Sequence, residues 1–423
     1  DFCLSRGLGD VYKRQGQDIS FSNPIVFSGI SNNGRVIALT DPSNASSRGR
    51  LYVYEISFNG TNYSWQTLGL SSEIMVGQTT NTLFGADGGG GISLSSDGRV
   101  VAISDTSASG IGQVRVFELS GNSWRQRGQL INGKPVTNYK LGQVVALSGN
   151  GNILAASSRL NNGEVLIYEL SANTNSWIQI GQDIIGANNV QQGFSMSLSL
   201  DGTTLATGPR SSVTPTVNIY RFNNSSNPRL WNLIGSINGT TIDQYFGWTI
   251  KLSSDGNTIV IGGIGHGAAA GNTTNGIGSV SVFKYNGTLW SQLGQTLYGA
   301  SANDLFGQWV QISNDGTIIS TGGAISRVRV YKLYLNTWIQ LGQVLNGTGI
   351  APNLGTSMNA LSGDGTTLVQ IINKSVGNTS RVYGINKLLS FTPSTSANIT
   401  TTISGGLIVG GKTYLNSLNI ANR

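Results

Sequence analysis

Apolar and polar residues alternate with period two along most of this chain, and one polar tetrad interrupts the alternation at regular intervals. The tetrad reads Ser31-Asn32-Asn33-Gly34, Ser95-Ser96-Asp97-Gly98, Ser148-Gly149-Asn150-Gly151, Ser199-Leu200-Asp201-Gly202, Ser253-Ser254-Asp255-Gly256, Ser313-Asn314-Asp315-Gly316 and Ser362-Gly363-Asp364-Gly365. An alternating stretch precedes it, as in Phe246-Gly247-Trp248-Thr249-Ile250-Lys251-Leu252-Ser253, and a second follows, as in Thr258-Ile259-Val260-Ile261. A third stretch has the form of Leu51-Tyr52-Val53-Tyr54 or Val328-Arg329-Val330-Tyr331, weakening to Ser380-Arg381-Val382-Tyr383. The fourth opens with Trp65, Trp124, Trp177, Trp231, Trp290 or Trp338. β-branched and aromatic residues dominate all four, and Asn-Gly or Asp-Gly separates them. Helical periodicity never extends beyond one turn.

Repetition at about 50 residues marks units that cannot bury their own faces and must pack on neighbours. Four antiparallel strands repeated radially form a propeller blade. Seven tetrads therefore predict an all-β fold, a seven-bladed β-propeller of four-stranded antiparallel blades. The tryptophans are expected at inter-blade contacts, and Trp248 and Trp309 are expected to wedge between blades. The fourth stretch has only six tryptophans, and Lys387-Leu388-Leu389-Ser390-Phe391 does not match it. Gly16-Gln17-Asp18-Ile19 does match Gly181-Gln182-Asp183-Ile184. The N-terminus is thus expected to complete blade seven beside Ser380–Tyr383, which removes an exposed sheet edge.

Two segments fall outside the repeat. Residues 5–15, Ser-Arg-Gly-Leu-Gly-Asp-Val-Tyr-Lys-Arg-Gln, resemble a translated transposase-end sequencing adaptor. That resemblance implies a metagenomic fragment in which residues 1–15 are an adaptor-derived artefact, poorly packed, ahead of a propeller at 16–389. Residues 390–402 have a linker's Ser and Thr content. Residues 403–423, with short β runs between Gly pairs, resemble the start of the β-rich stalk of fibre and tail-spike proteins, which implies a homotrimer.

Composition narrows the function classes. Charged residues are 11% of the chain, against about 25% on average. The net charge of +7 is spread over 26 Lys and Arg with no run of five, so no clustered basic face for nucleic acid is expected. One Cys excludes a disulfide framework and a cysteine zinc site. No apolar stretch approaches the roughly 18 residues of a membrane helix, so no membrane insertion is expected. With a single His, no G-x-S-x-G and no metal-ligand spacing, acid/base pairs and nucleophilic triads are hard to assemble. The expectation is a protein that is not an enzyme and uses neither cofactor nor metal. Asp97, Asp201, Asp255, Asp315 and Asp364 hold one turn position, where Asp accepts backbone hydrogen bonds.

The unit as a whole resembles the FG-GAP-like propeller repeats of surface proteins. Phe84-Gly85, Phe246-Gly247 and Phe306-Gly307 carry the Phe-Gly pair, Leu141-Gly142 and Leu354-Gly355 a substituted form. Blades one and four depart, with Val26-Phe27 and Gly193-Phe194 near that place. The family includes integrin-type propellers, but the D-x-D-x-D-G calcium loops do not occur here, so calcium is not implied. The resemblance implies a non-catalytic module at an extracellular, cell-surface or virion surface that recognises a glycan or protein through loops on one face. Those loops precede the first strands and join second to third strands. The candidate contacts on them are Asn81, Asn138, Asp243 and Asp304, a polar ring, with Tyr139, Tyr245 and His266. A scaffold without a specific ligand and a propeller hydrolase stay open as alternatives.

Overall fold

The computed structural model describes residues 11–21, 25, 27–41, 49–69, 91–160, 162–187, 190–211, 215–240, 243–267, 276–323, 327–346, 359–372 and 378–385, with short strands at 403–404, 407–409, 412–414 and 417–418. Seven antiparallel sheets each run from an innermost strand to an outer one. Blade five is representative: Asp243–Leu252, Thr258–His266, Ser279–Tyr285 and Trp290–Gln292, with Leu297–Tyr298 as a second piece of the outer edge. Among the described residues the one helical segment is a single 3₁₀ turn, Ala108–Gly110. The chain divides into two compact units, residues 1–389 and 390–423. The second carries two short antiparallel pairs, Ile403–Ser404 with Ser417–Leu418 and Leu407–Val409 with Lys412–Tyr414.

The tetrad makes each first hairpin and also links the hairpins into a ring. In blade five the Ser253 hydroxyl donates to Asp255 Oδ1 at 2.6 Å and accepts from Thr258 N at 2.9 Å, while Asn257 N donates to Asp255 Oδ1 at 3.0 Å. Asn33 and Asn150 do the same through their amide oxygens, since the turn needs only an acceptor there. The second tetrad residue makes the circuit. Asn32 N donates to Ser96 O, Ser96 N to Gly149 O, Gly149 N to Leu200 O, Leu200 N to Ser254 O, Ser254 N to Asn314 O and Asn314 N to Gly363 O. Asp364 N returns to Asn32 O at 3.2 Å. This backbone ring joins all seven blades.

The outer strands lock neighbours differently. Each fourth-strand Trp packs on the Gly that ends the preceding blade's W-x-Q-L-G run, and an added Cβ on Gly69 would stand 2.8 Å from Trp124. The indole N–H then donates to the carbonyl just before that Gly: Trp65 to Gln15, Trp124 to Leu68, Trp177 to Arg127, Trp231 to Ile180 and Trp338 to Leu293. Trp290, on Gly235, finds no acceptor for its N–H. Next in sequence, Gln17, Gln129, Gln182 and Gln295 each clasp a Trp main chain, accepting from its N–H and donating to its C=O.

Blade seven closes through the N-terminus, with one correction. Ile19–Phe21 pairs with Asn378–Ser380, and Tyr12–Arg14 pairs with Tyr383–Ile385. Residues 11–15 therefore pack as part of the blade, against the expectation of poor packing for 1–15; residues 1–10 lie outside the described residues. The physical reason is Tyr12, which occupies the seventh tryptophan position. Its ring lies on Gly342, its hydroxyl donates to Leu341 O at 2.5 Å, and burial drives its pKa well above the ordinary tyrosine value. Lys387–Phe391 also lies outside the described residues.

The turn carboxylates make stability depend on pH. Burial alone would raise Asp201 and Asp255, but hydrogen bonds from Ser199 and Thr203, and from Ser253 and Asn257, outweigh it and hold both below the usual carboxylate range. A depressed folded pKa gives stability that is present above the unfolded value of about 3.9 and is lost as pH falls through the folded value. The urea midpoint is expected to hold between about pH 7 and 5 and to drop below about pH 4. The Asp201→Asn, Asp255→Asn double variant keeps the acceptors and should flatten that drop. An unchanged acid limb in the variant would assign it to other groups.

Candidate functional site

The face opposite the tetrads is built by the loops that enter each first strand and those that join second to third strands. The Phe-Gly pair anchors it. Phe246, Phe306 and Leu141 are buried, and Gly247, Gly307 and Gly142 follow at φ +86°, +89° and +97°. A Cβ on Gly307 would stand 2.3 Å from Ser279 O, so only Gly fits between the blades there. The preceding residue is left-handed in every described blade entry: Lys140, Gln191, Tyr245 and Leu305, φ +46° to +57°. Strain repeated at four non-glycine positions is held by the rigid pair that follows it.

Blade four departs from this pattern and thereby creates a cluster. Gln192-Gly193 takes the place of Phe-Gly, and the Gln192 amide donates to Thr207 O and Oγ1 at 2.9 and 2.6 Å. Phe194 is thus shifted one residue onward, to the position that Trp248 holds in blade five. Their rings meet at 4.6 Å, and Tyr245 stands edge-on to Trp248 at 5.9 Å. The Arg159 guanidinium lies 4.2 Å from the Phe194 ring and that of Arg210 lies 5.7 Å away. Phe194 is 5% exposed, Trp248 and Tyr245 are half-buried, and Arg210 is exposed. A buried ring thus supports two partly open aromatic rings beside an open guanidinium. Cation–aromatic contacts of this kind contribute about 0.5–2 kcal/mol each, enough to hold the side chains in place before a ligand arrives.

The predicted contacts divide into outward and inward groups. Tyr245 belongs to the cluster. His266 pairs with Asp243 across the first two strands of blade five, and its ring lies 4.6 Å from Tyr298, which is 51% exposed. Only the backbone of Asp243 is described, and Asn81 lies outside the described residues. Asn138 is exposed, at φ +62°. Tyr139 and Asp304 face inward, at 4% and 1% exposure, which removes both from the ligand-facing set.

Tyr139 donates to Glu164, and Lys134 donates to Glu164 at 2.5 Å and to Asp183 at 2.7 Å. Burial and the Glu164 bond both push the Tyr139 pKa upward. Burial alone would raise Asp183 too, but hydrogen bonds from Lys134 and Gln179 overcome it and hold the carboxyl low. Asp304 accepts from Ala300 N at 2.9 Å and pairs with Arg329 at 3.4 Å. It stands two residues before Phe306, the register of Tyr139 before Leu141, while Asn303 takes the register of Asn138. Counting from the Phe-Gly pair exposes that offset in the sequence alone. The Phe194–Trp248 contact crosses blades and gives no such signal.

Trp248 wedges between blades four and five, as expected. Trp309, in blade six, packs against a core cluster that includes the neighbouring blade seven, and it also lines the axial channel. The tetrad carboxylates are committed to their turns. Among the described residues no three His, Cys, Asp or Glu stand together as metal ligands.

No protein-family model matches the chain, and no curated protein matches it. Among solved structures it is similar to the β-propeller domain of Cps50 (Swd1) from Myceliophteria thermophila, at 9% identity and a TM-score of 0.57, covering 89% of this chain and all of that one. Identity this low speaks for the fold alone, a β-propeller.

Proposed function

We propose that the chain is a non-catalytic recognition module of the FG-GAP-like kind, acting outside the cell or on a virion, and that its ligand is a surface glycan or protein. The observation that carries this reading is the convergence of Tyr245, Trp248 and Arg210 on one face, held by Phe194 and Arg159 on a closed ring. Partly open aromatic faces pack against the apolar face of a sugar or an apolar side chain, and an exposed guanidinium takes a carboxylate or sulfate. Trimerisation through residues 403–423 belongs to the same reading, since it would multiply weak contacts.

A glycan array and intact-cell binding test the proposal. Tyr245→Ala with Arg210→Ala should weaken binding by about tenfold or more, while the melting temperature falls by no more than about 4 °C. His266→Ala is expected to add a smaller loss. Full binding by the double variant would favour a scaffold, and turnover of a bound glycan would favour a hydrolase.

A further inference from the structure

The axial channel encloses a cavity of about 240 Å³ between the innermost strands. Its lining is Ser, Thr, Asn, Gln and apolar residues with a single charged side chain, Lys251. Lys251 is open to the channel interior, and among the described residues its ammonium has no hydrogen-bond or ion-pair partner. Desolvation within the channel lowers its pKa. A cation in such a place needs either a bound anion or a full hydration shell within the channel.

Other blades bring further polar groups to the same channel wall. Lys251, Gln311 and Ser93 each stand two residues before a tetrad serine, which sets them at one height, and Asn359 and Ser28 stand one residue above. Asn359 is 3% exposed; its Oδ1 accepts from Ser320 at 2.6 Å, and its Nδ2, buried beneath the channel surface, has no partner among the described residues. The Ser28 hydroxyl is also without one. Ser93 Oγ accepts from Leu147 N at 3.0 Å, which leaves its proton free to be donated. Trp309 closes one side of this space.

The geometry points to an oxyanion site in the axial channel, in which Lys251 holds a small tetrahedral anion of the sulfate or phosphate type with a donor from Ser93 across the channel. It is separate from the aromatic cluster on the face and does not depend on the function proposed there.

The test uses the full chain and sodium sulfate at 0 to about 20 mM at constant ionic strength. Ion exclusion stabilises any protein without saturating, whereas a bound anion gives a saturable rise in melting temperature of about 2 °C or more. That rise should vanish in Lys251→Met and survive in Lys251→Arg. Crystals grown without sulfate and soaked in selenate should show an anomalous peak within hydrogen-bond distance of the Lys251 ammonium. A rise that persists in Lys251→Met, no saturable rise in the parent protein, or selenate absent from the channel each overturns the assignment. The selenate result on the parent protein decides the matter if Lys251→Met does not fold.

Discussion

Trp124→Ala is expected to destabilise the protein by about 3–5 kcal/mol, the largest effect of any fourth-strand tryptophan. Trp124 is fully buried against Gly69 and the core that joins blades one and two. Two terms are lost together. The packing term dominates, because a hydrogen bond such as the one from the indole to Leu68 O, 2.8 Å long, contributes only about 1 kcal/mol net. Trp124→Phe separates them. It keeps most of the apolar volume but leaves a buried carbonyl unpaired, which costs about 1–3 kcal/mol. Urea unfolding followed by far-ultraviolet circular dichroism gives both values. A loss below 1 kcal/mol for Trp124→Ala would show that the tryptophans decorate the ring without locking it.

The converse change is equally informative about the blade contact. Gly69 sits at φ +84° with its Cα against the indole, so any side chain there meets both strain and overlap. Glycine and tryptophan lie roughly 55 residues apart and belong to different blades, yet they form one joint.

The number of blades and the order of strands were legible in the sequence because the tetrad is a local device. Ser, Asp and Gly satisfy one another within a few residues, so spacing alone reveals them. The second tetrad position was not legible. Asn32, Ser96, Gly149, Leu200, Ser254, Asn314 and Gly363 share no side-chain chemistry, since the ring is made by main-chain groups, with a side-chain bond added at Ser254. Contacts between blades were hidden for a related reason. The turn of Asp304 toward Arg329, the shift of Phe194 beneath Arg159 and the packing of Trp309 on the next blade are set by neighbours outside the local pattern. Lys251 was hidden by the alternation itself, which places a polar residue there whether it faces bulk water or a closed channel.

Removing residues 1–15 is expected to cost about 5 kcal/mol and to broaden the unfolding transition. The sum is mainly burial. Tyr12 loses its place, and the buried Tyr383, Ile385 and Leu345, which pack with it in one core cluster, become partly open; each large side chain contributes about 1.5–3 kcal/mol when fully buried. Hydrogen bonds at Tyr12 to Leu341, Gln15 to Val382 and Trp65 to Gln15 are lost as well, and the strand Asn378–Ile385 is left as a free edge over part of its length. Tyr12→Trp distinguishes a specific joint from mere coverage. If the slot on Gly342 is the seventh copy of the tryptophan joint, Tyr12→Trp retains stability within about 1 kcal/mol, while Tyr12→Ser accounts for most of the deletion's loss. Calorimetry of the three variants decides it. A deletion as stable as the parent would mean that Ile19–Phe21 alone closes the ring, and that the packing of Tyr12 follows from closure without contributing to it.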